Sequence, residues 1–309
     1  MDAVDTIKTY KDSSFAMILE AQRRGWQVYY MQLQDLYLDS ARSYAECRQL
    51  TVQDQARDYF QLGDQQTICL AELDVILMRK DPPFDLEYIY ATYLLEQAEE
   101  QGVLVVNRPQ SLRDCNEKLF TREFPQCCAP ARVTRKSSLI TEFLTLHEDI
   151  IIKPLDGMGG KSIFRIRLGD PNTNAIIEAV THDGTTQTMV QKFIPEIING
   201  DKRILLIDGK PVPYALARIP ARGENRGNLA AGASSVGQPL SDRDYWICEQ
   251  IAPSLRAKGL IFVGIDVIGD YLTEINITSP TCIRELDSQF KLNISHDLFE
   301  CIQQKLRAV

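Results

Sequence analysis

Beyond about Lys118 the chain breaks into short apolar segments, ARVTR, DIIIKP, IFRIRL, TMVQKFI, RILLID, VPYALARI, LIFVGID and YLTEINI, separated by residues that favour turns. Their length and their β-branched and aromatic content suit pleated strands. The pattern predicts a largely antiparallel sheet with few helices. Earlier residues read differently. A helix is expected from Ser13, capped by Ser13 or Ser14, to a stop at Gly25. The strand WQVYYM (26–31) follows, then a polar stretch, LDVILMR (73–79), a helix from about Leu86 to Gln101, and VLVVN (103–107). Strand, helix and strand at this spacing favour parallel pairing. The fold class is therefore α/β with mixed α+β character.

Of 309 residues, 44% are hydrophobic and 25% charged, which is enough for one large core or two to three lobes. The 34 basic and 42 acidic side chains give a formal charge of −8, and no Lys/Arg run is long enough to track a phosphate backbone. Nucleic acid is not an expected partner. No window approaches the ~18 apolar residues of a membrane span, and MDAVDTIKTYKDSSF lacks the apolar core of a signal peptide. The expected location is cytoplasmic. Eight cysteines and three histidines lie scattered without CxxC spacing, so neither zinc nor a disulfide framework is expected.

The segment KPLDGMGGKS (153–162) ends an apolar strand in Lys153 and follows it with three glycines, whose missing side chains let backbone N–H groups approach phosphate oxygens. A P-loop is excluded, because Leu155 stands where GxxxxGK[ST] needs glycine. Taken alone, the segment is equally a glycine hairpin between two strands.

Near the other end, GIDVIGDYLTEIN (264–276) reads as a hairpin in which Glu274 and Asn276, two apart, share a face. Asp266 joins that face only if paired numbers sum to an even total, as with 266 opposite 274 and Gly269 to Tyr271 as the loop. A two-residue turn is expected to break the set. Granted that register, three oxygen donors converge, as suits Mg²⁺ shared with nucleotide phosphates. Lys118, Lys153, Arg203 and Arg218 lie on or beside apolar segments and supply cations for a triphosphate and an acidic substrate. The stretch from Pro220 to Pro239, rich in glycine and alanine, reads as a lid.

Together Lys153, DGMGG, QKFIP (191–195), Arg203, Arg218 and TEINITSPT resemble the ATP-grasp superfamily. More narrowly, ILMRKDPPFD, NRPQSLRDCNEKLF, KPLDGMGG, RGNLAAG and GLIFVGIDVIGD are similar to the prokaryotic glutathione synthetase family. The resemblance implies an ATP-grasp fold preceded by a Rossmann-like domain, divided as 1–115, 118–193 and 194–309. It implies that Lys118, Lys153, Gly157, Met158, Gly159 and Gly160 hold ATP phosphates, that Gln191, Lys192, Phe193 and Ile194 form the adenine hinge, and that Asp201 faces the ribose. Asp266, Glu274 and Asn276 would hold Mg²⁺ or Mn²⁺. Arg203 and Arg218 would stabilise the transferred phosphoryl group, with Arg226 reaching it from the lid at 220–239. Arg79, Asp81, Asn116, Ser279, Pro280 and Thr281 would contact substrate.

The implied reaction joins γ-glutamylcysteine to glycine with ATP, in a homotetramer. Two rivals stay open, an ATP-grasp ligase for another carboxylate and amine, and a noncatalytic nucleotide-binding homologue. Two departures from the family pattern stand out. The chain opens at MDAVDTIK, where the family usually has an apolar strand first, so the first sheet is expected to lack a strand. Lys161 follows the glycines where a small residue is usual.

Overall fold

The computed structural model describes residues 1–157, 160–221 and 234–307. The first helix forms as α1 (Ser13–Arg23), but its cap is Asp12, whose carboxylate accepts from the Phe15 N–H at 2.7 Å. Gly25, at φ +75°, closes it. With Asp12 as the cap, the next two hydroxyls are free for tertiary contacts. Ser13 accepts from the Ile283 N–H at 3.2 Å and Ser14 from Arg79 Nε at 3.0 Å.

WQVYYM contributes only β1 (Tyr29–Tyr30), which is not part of a parallel sheet. The stretch read as polar folds into β2 (Leu36–Asp39), β3 (Arg42–Val52) and β4 (Phe60–Cys69), and β3 pairs antiparallel with β1, β2 and β4. Residues 63–67 of β4 are exposed on both faces, so no apolar period marks that strand. Parallel pairing among the described residues is confined to β5 (Val75–Leu77) and β6 (Leu104–Val106), joined through α2 (Leu86–Glu100). The far side of β5 borders an apolar cavity of about 160 Å³ that also touches Met17, Trp26, Val28 and Phe299.

After α3 (Pro109–Asp114) come β7 (Ala131–Thr134), α4 (Ser137–His147), β8 (Asp149–Pro154), β9 (Phe164–Arg167), α5 (Thr173–Thr181) and β10 (Thr188–Lys192). The strands form an antiparallel sheet in the order β7-β10-β8-β9, with Ile140, Phe143, Ile150, Ile152, Ile177 and Val190 in its core. A second antiparallel sheet takes β11 (Asp201–Ile207), β12 (Lys210–Ile219), β13 (Ser234–Pro239), β14 (Phe262–Ile268) and β15 (Tyr271–Asn276), in the order β13-β12-β11-β14-β15. The remaining helices are α6 (Asp242–Ala257), α7 (Ile283–Phe290) and α8 (Ile294–Arg307). Antiparallel pairing dominates here as expected. The expectation of few helices does not hold, because α4 to α8 all follow Lys118. Their apolar residues recur at helical spacing, as in Ile140, Phe143 and Leu144, on helices short enough to sit unnoticed between strands.

The hairpin of β14 and β15 corrects one expectation and rescues another. Its turn is the tight pair Gly269 and Asp270, with Ile268 opposite Tyr271 and Val267 opposite Leu272. A β-bulge then absorbs Thr273, whose hydroxyl donates to the Asp266 carbonyl at 3.1 Å. The extra residue changes the parity, and Glu274 lands opposite Asp266 after all.

Candidate active site

Strand pairing assembles the charged face. Arg203 on β11 stands opposite Asp266 on β14, Asp266 opposite Glu274 and Gly264 opposite Asn276 on β15, and Asp201 opposite Arg218 on β12. Directly opposed residues share a face. Arg203 donates from Nε to Asp266 Oδ1 at 2.5 Å and from Nη2 to Oδ2 at 3.0 Å. Arg218 Nη2 bridges Asp201 Oδ2 at 2.5 Å and Asp266 Oδ2 at 2.9 Å, and Asn276 Nδ2 lies 3.3 Å from Asp266 Oδ2.

Burial opposes the Asp266 charge, but the two guanidinium groups win and hold its carboxyl well below the usual range. For Asp201 burial wins: assisted by the Asp266 and Glu274 charges, it outweighs Arg218 and pushes the carboxyl up to about 7. Asp201 Oδ1 is buried with no hydrogen-bond partner. Gly264 lets Pro280 close onto this face, since a Cβ there would sit 2.9 Å from Pro280 Cβ and 3.0 Å from Arg203 Cδ.

Two lysines approach from the other sheet and its connector. Lys118, 2% exposed, is paired with Glu117 and donates to the Gly157 carbonyl at 2.8 Å. Its Nζ and that of Lys153, at the end of β8, each lie 3.7 Å from Glu274 Oε1. Burial works against the Lys118 charge, but Glu274 and Glu117 raise its pKa above the ordinary lysine value. Gly157 sits against Pro154, where a Cβ would come within 2.6 Å of the ring. In the hinge, Gln191 and Ile194 are buried, Lys192 is exposed, and the Arg165 guanidinium stacks 3.5 Å from the Phe193 ring centre.

A cavity of about 630 Å³ opens beside these groups and brings Arg79, Asp81, Ser279, Pro280 and Thr281 together with Arg203, Arg218, Asp266, Glu274 and Asn276. Arg79 is buried; it donates to Ser14 Oγ and, at 2.9 Å, to the Pro280 carbonyl, and no carboxylate among the described residues lies within ion-pair distance. Burial lowers its pKa. Burial also pushes Asp81 up, against a hydrogen bond from Ser279. Asn116 is not among the residues lining this cavity; it lines a small neighbouring one of about 30 Å³ with Leu155 and Asp156, and its amide is engaged by backbone groups.

Met158, Gly159, Arg226 and residues 222–233 of the expected lid lie outside the described residues. Lys161 is exposed. Sequence reasoning missed Glu117 and Glu285, which also line the large cavity. Glu285 Oε2 is buried without a partner, and burial raises that carboxyl. Adjacency to Lys118 was a signal for Glu117, whereas nothing local distinguishes Glu285 from a solvated helix residue.

Comparison with known proteins gives the family. The chain matches the families described as "Prokaryotic glutathione synthetase, N-terminal domain" over residues 1–113 and "Prokaryotic glutathione synthetase, ATP-grasp domain" over residues 117–291. It is 59% identical over 308 residues to glutathione synthetase of Pseudomonas putida and 57% identical over 308 residues to that of Vibrio vulnificus, covering 100% of this chain and 97% of each relative. Among solved structures, an ATP-grasp ligase of Chryseobacterium gregarium in complex with ADP and a leader and core peptide aligns at TM-score 0.64 and 14% identity, over 97% of this chain and 95% of that one. The ATP-grasp ligase PsnB with a precursor peptide and AMPPNP aligns at TM-score 0.63 and 15% identity, over 99% and 96%. At that identity the structural likeness carries the ATP-grasp fold alone. The full-length sequence matches carry more: this chain belongs to the prokaryotic glutathione synthetase family.

Proposed function

We propose that the chain is an ATP-dependent ligase that joins γ-glutamylcysteine to glycine, giving glutathione, ADP and phosphate. The observation that carries this reading is the cross-strand ladder of Arg218, Asp201, Arg203, Asp266 and Glu274, met by Lys118 and Lys153 and opening onto the cavity that holds Arg79 and Glu285. In this reading Lys118, Lys153 and the glycines at 157–160 take the phosphates. Gln191 to Ile194 border the adenine, and the unpartnered Asp201 Oδ1 accepts a ribose hydroxyl. Arg79 suits a substrate carboxylate, because it is a buried cation with no carboxylate at ion-pair distance among the described residues, Asp81 and Asp12 acting on it only from further away. Glu285 suits the substrate ammonium for the opposite reason.

At the phosphate end four cations, Lys118, Lys153, Arg203 and Arg218, stand among four carboxylates, Glu117, Asp201, Asp266 and Glu274. These carboxylates offset much of the cationic charge that a triphosphate needs, although burial raises the pKa of Asp201 and Glu117, and a divalent cation would add to the positive side. Asp266, Glu274 and the Asn276 carbonyl are hard oxygen donors that fit Mg²⁺ or Mn²⁺, and Glu274, 3.7 Å from both lysines, is not locked into a hydrogen bond with either. Held there, such an ion would supply charge neutralisation for the nucleotide phosphates.

The cysteinyl carboxylate attacks the γ-phosphorus and ADP leaves, forming an acyl phosphate. The glycine amine then attacks the acyl carbon, phosphate departs and the amine loses a proton. Arg203 and Arg218 face the transferring group and stabilise its charge. Of the stretch 220–239 read as a lid, Ser234–Pro239 is strand β13 paired with β12, which corrects that part of the expectation; the remainder, with Arg226, would keep water from the acyl phosphate. The division at 1–115, 118–193 and 194–309, the homotetramer and the cytoplasmic location belong to the same proposal. No helix among the described residues is long and apolar enough to cross a membrane.

The test is phosphate release and product analysis with ATP, Mg²⁺, γ-glutamylcysteine and glycine, omitting one component at a time. Turnover that needs both the dipeptide and glycine supports the reading. A folded protein that binds ATP but forms no tripeptide would point to another carboxylate and amine, or to a noncatalytic homologue.

A further inference from the structure

Three consecutive residues, Asn116 to Lys118, touch both halves of the phosphate site. Glu117 accepts from the Ile275 N–H at 2.8 Å through its carbonyl, which fastens the connector to β15 between Glu274 and Asn276. Lys118 reaches the Gly157 carbonyl. Asn116 uses both ends of its amide. Its Oδ1 accepts from the N–H groups of Lys118 and Leu119, each at 3.0 Å, and its Nδ2 donates to the Leu155 carbonyl at 3.1 Å. Leu155 is the second residue past Lys153 and the second before Gly157, at the root of the glycine loop.

We propose that Asn116 is a positioning residue for nucleotide binding, fixing the root of the glycine loop against the Lys118 backbone so that both lysines and the loop meet the same phosphates. The argument is geometric. Lys153 lies on β8 of the β7-β10-β8-β9 sheet and Leu155 directly follows that strand, whereas Glu274 and Asn276 belong to the other sheet. A displacement of about 1 Å between a phosphate loop and its partner groups is enough to cost one to two orders of magnitude. Lys118 also spans the gap, but its ammonium is needed by the incoming phosphate. A Lys118 ammonium given over to ATP would leave the Gly157 carbonyl, while the Asn116 bond to the Leu155 carbonyl does not depend on it. One side chain thus orders the Lys118 backbone and the loop root together, with no direct contact to substrate. This assignment rests on the phosphate-site reading above.

The test uses the full chain and two variants that both lack the donor to Leu155. Asn116→Ser is neutral, and its hydroxyl still accepts from the nearby N–H groups. Asn116→Asp keeps the acceptor geometry but adds a charge. The Kd of a nonhydrolysable ATP analogue is measured by calorimetry without dipeptide or glycine, alongside the three KM values and the thermal midpoint. The expected result is a rise of about tenfold in analogue Kd and in KM for ATP for both variants, with KM for the dipeptide and glycine unchanged. A purely structural role would lower the midpoint and the active fraction while leaving KM for ATP in place.

Analogue affinity within twofold of wild type in folded Asn116→Ser overturns the proposal, as does weakening confined to Asn116→Asp. If Asn116→Ser does not fold, Asn116→Asp in about 0.5 M salt decides, because screening removes a charge effect and leaves a lost tether. Wild type that binds the analogue but makes no tripeptide would refute the ligase reading and leave this inference standing; wild type that binds no nucleotide would overturn both.

Discussion

In the quartet of Arg203, Arg218, Asp201 and Asp266, replacing Asp266 with Asn removes the carboxylate that both guanidinium groups share and leaves Arg203 and Arg218 facing only Asp201, whose own carboxyl is raised to about 7. Arg203, Arg218 and Asp266 are 7%, 6% and 3% exposed, so water arriving from the cavity replaces only part of the lost interaction. Removing one partner of a buried pair costs about 3–5 kcal/mol. The Asn oxygen still accepts one Arg203 bond, while the new NH₂ faces donors of Arg203, Arg218 or Asn276, which places the expected loss near 3 kcal/mol.

Urea unfolding of the ligand-free chain, followed by the fluorescence of Trp26 and Trp246, measures it. Arg203→Met and the double variant complete a cycle, and the double variant should cost clearly less than the two singles added. The gap between wild type and Asp266→Asn should also narrow in acid. The folded pKa of Asp266 is depressed, so its contribution is present above the unfolded value of about 3.9 and fades as pH falls towards the lower folded value. A loss below about 1 kcal/mol with additive singles would mean a solvent-screened pair, and the account of the quartet would fail.

Asp201 should behave with the opposite sign. Its folded pKa is raised to about 7, so its contribution is fully present below the unfolded carboxylate value and is lost as pH rises through 7; the Tm of wild type relative to Asp201→Asn should fall between pH 5 and pH 8.5. Gly157→Ala forces a Cβ against the Pro154 ring and should raise KM for ATP about tenfold with Tm nearly unchanged, as initial-rate kinetics and a thermal scan would register. Glu285→Gln should raise KM for the dipeptide about 10- to 100-fold and leave the affinity for an ATP analogue alone; the reverse pattern would remove Glu285 from the substrate pocket.

What the sequence revealed follows the physics of each feature. Lys153 and its glycines were legible because phosphate approach needs small residues next to one another in the chain. The pairing of Asp266 with Glu274 was legible as a requirement, but the turn that delivers it was not. Gly269 and Asp270 make the tight turn, and only the bulge at Thr273 restores the parity, a backbone event that no side-chain pattern announces. β4 escaped because neither of its faces is buried along its middle. Ser13 and Ser14 were read as caps because capping is local and their actual partners, Ile283 and Arg79, are not. Glu285 was invisible for a related reason: its meaning comes from the pocket it faces, and a lone Glu near a helix start is commonplace.

The engagement of those two serines has a consequence for cooperativity. Ser13 binds a backbone N–H 270 positions further along the chain, and Ser14 binds the arginine that in turn holds the Pro280 carbonyl. The opening turn of the first helix and the segment leading into the seventh are therefore two jaws of one clamp, closed by three hydrogen bonds. A ligand seated between them acts as a noncovalent staple across almost the entire sequence. At a hundredfold excess over its Kd it stabilises the clamped state by about 2.7 kcal/mol, and both jaws share that gain because neither can open without releasing the ligand. Amide exchange should accordingly slow in step at α1 and α7 on substrate binding, which makes the two ends of the chain, distant in sequence, a single unit of local stability.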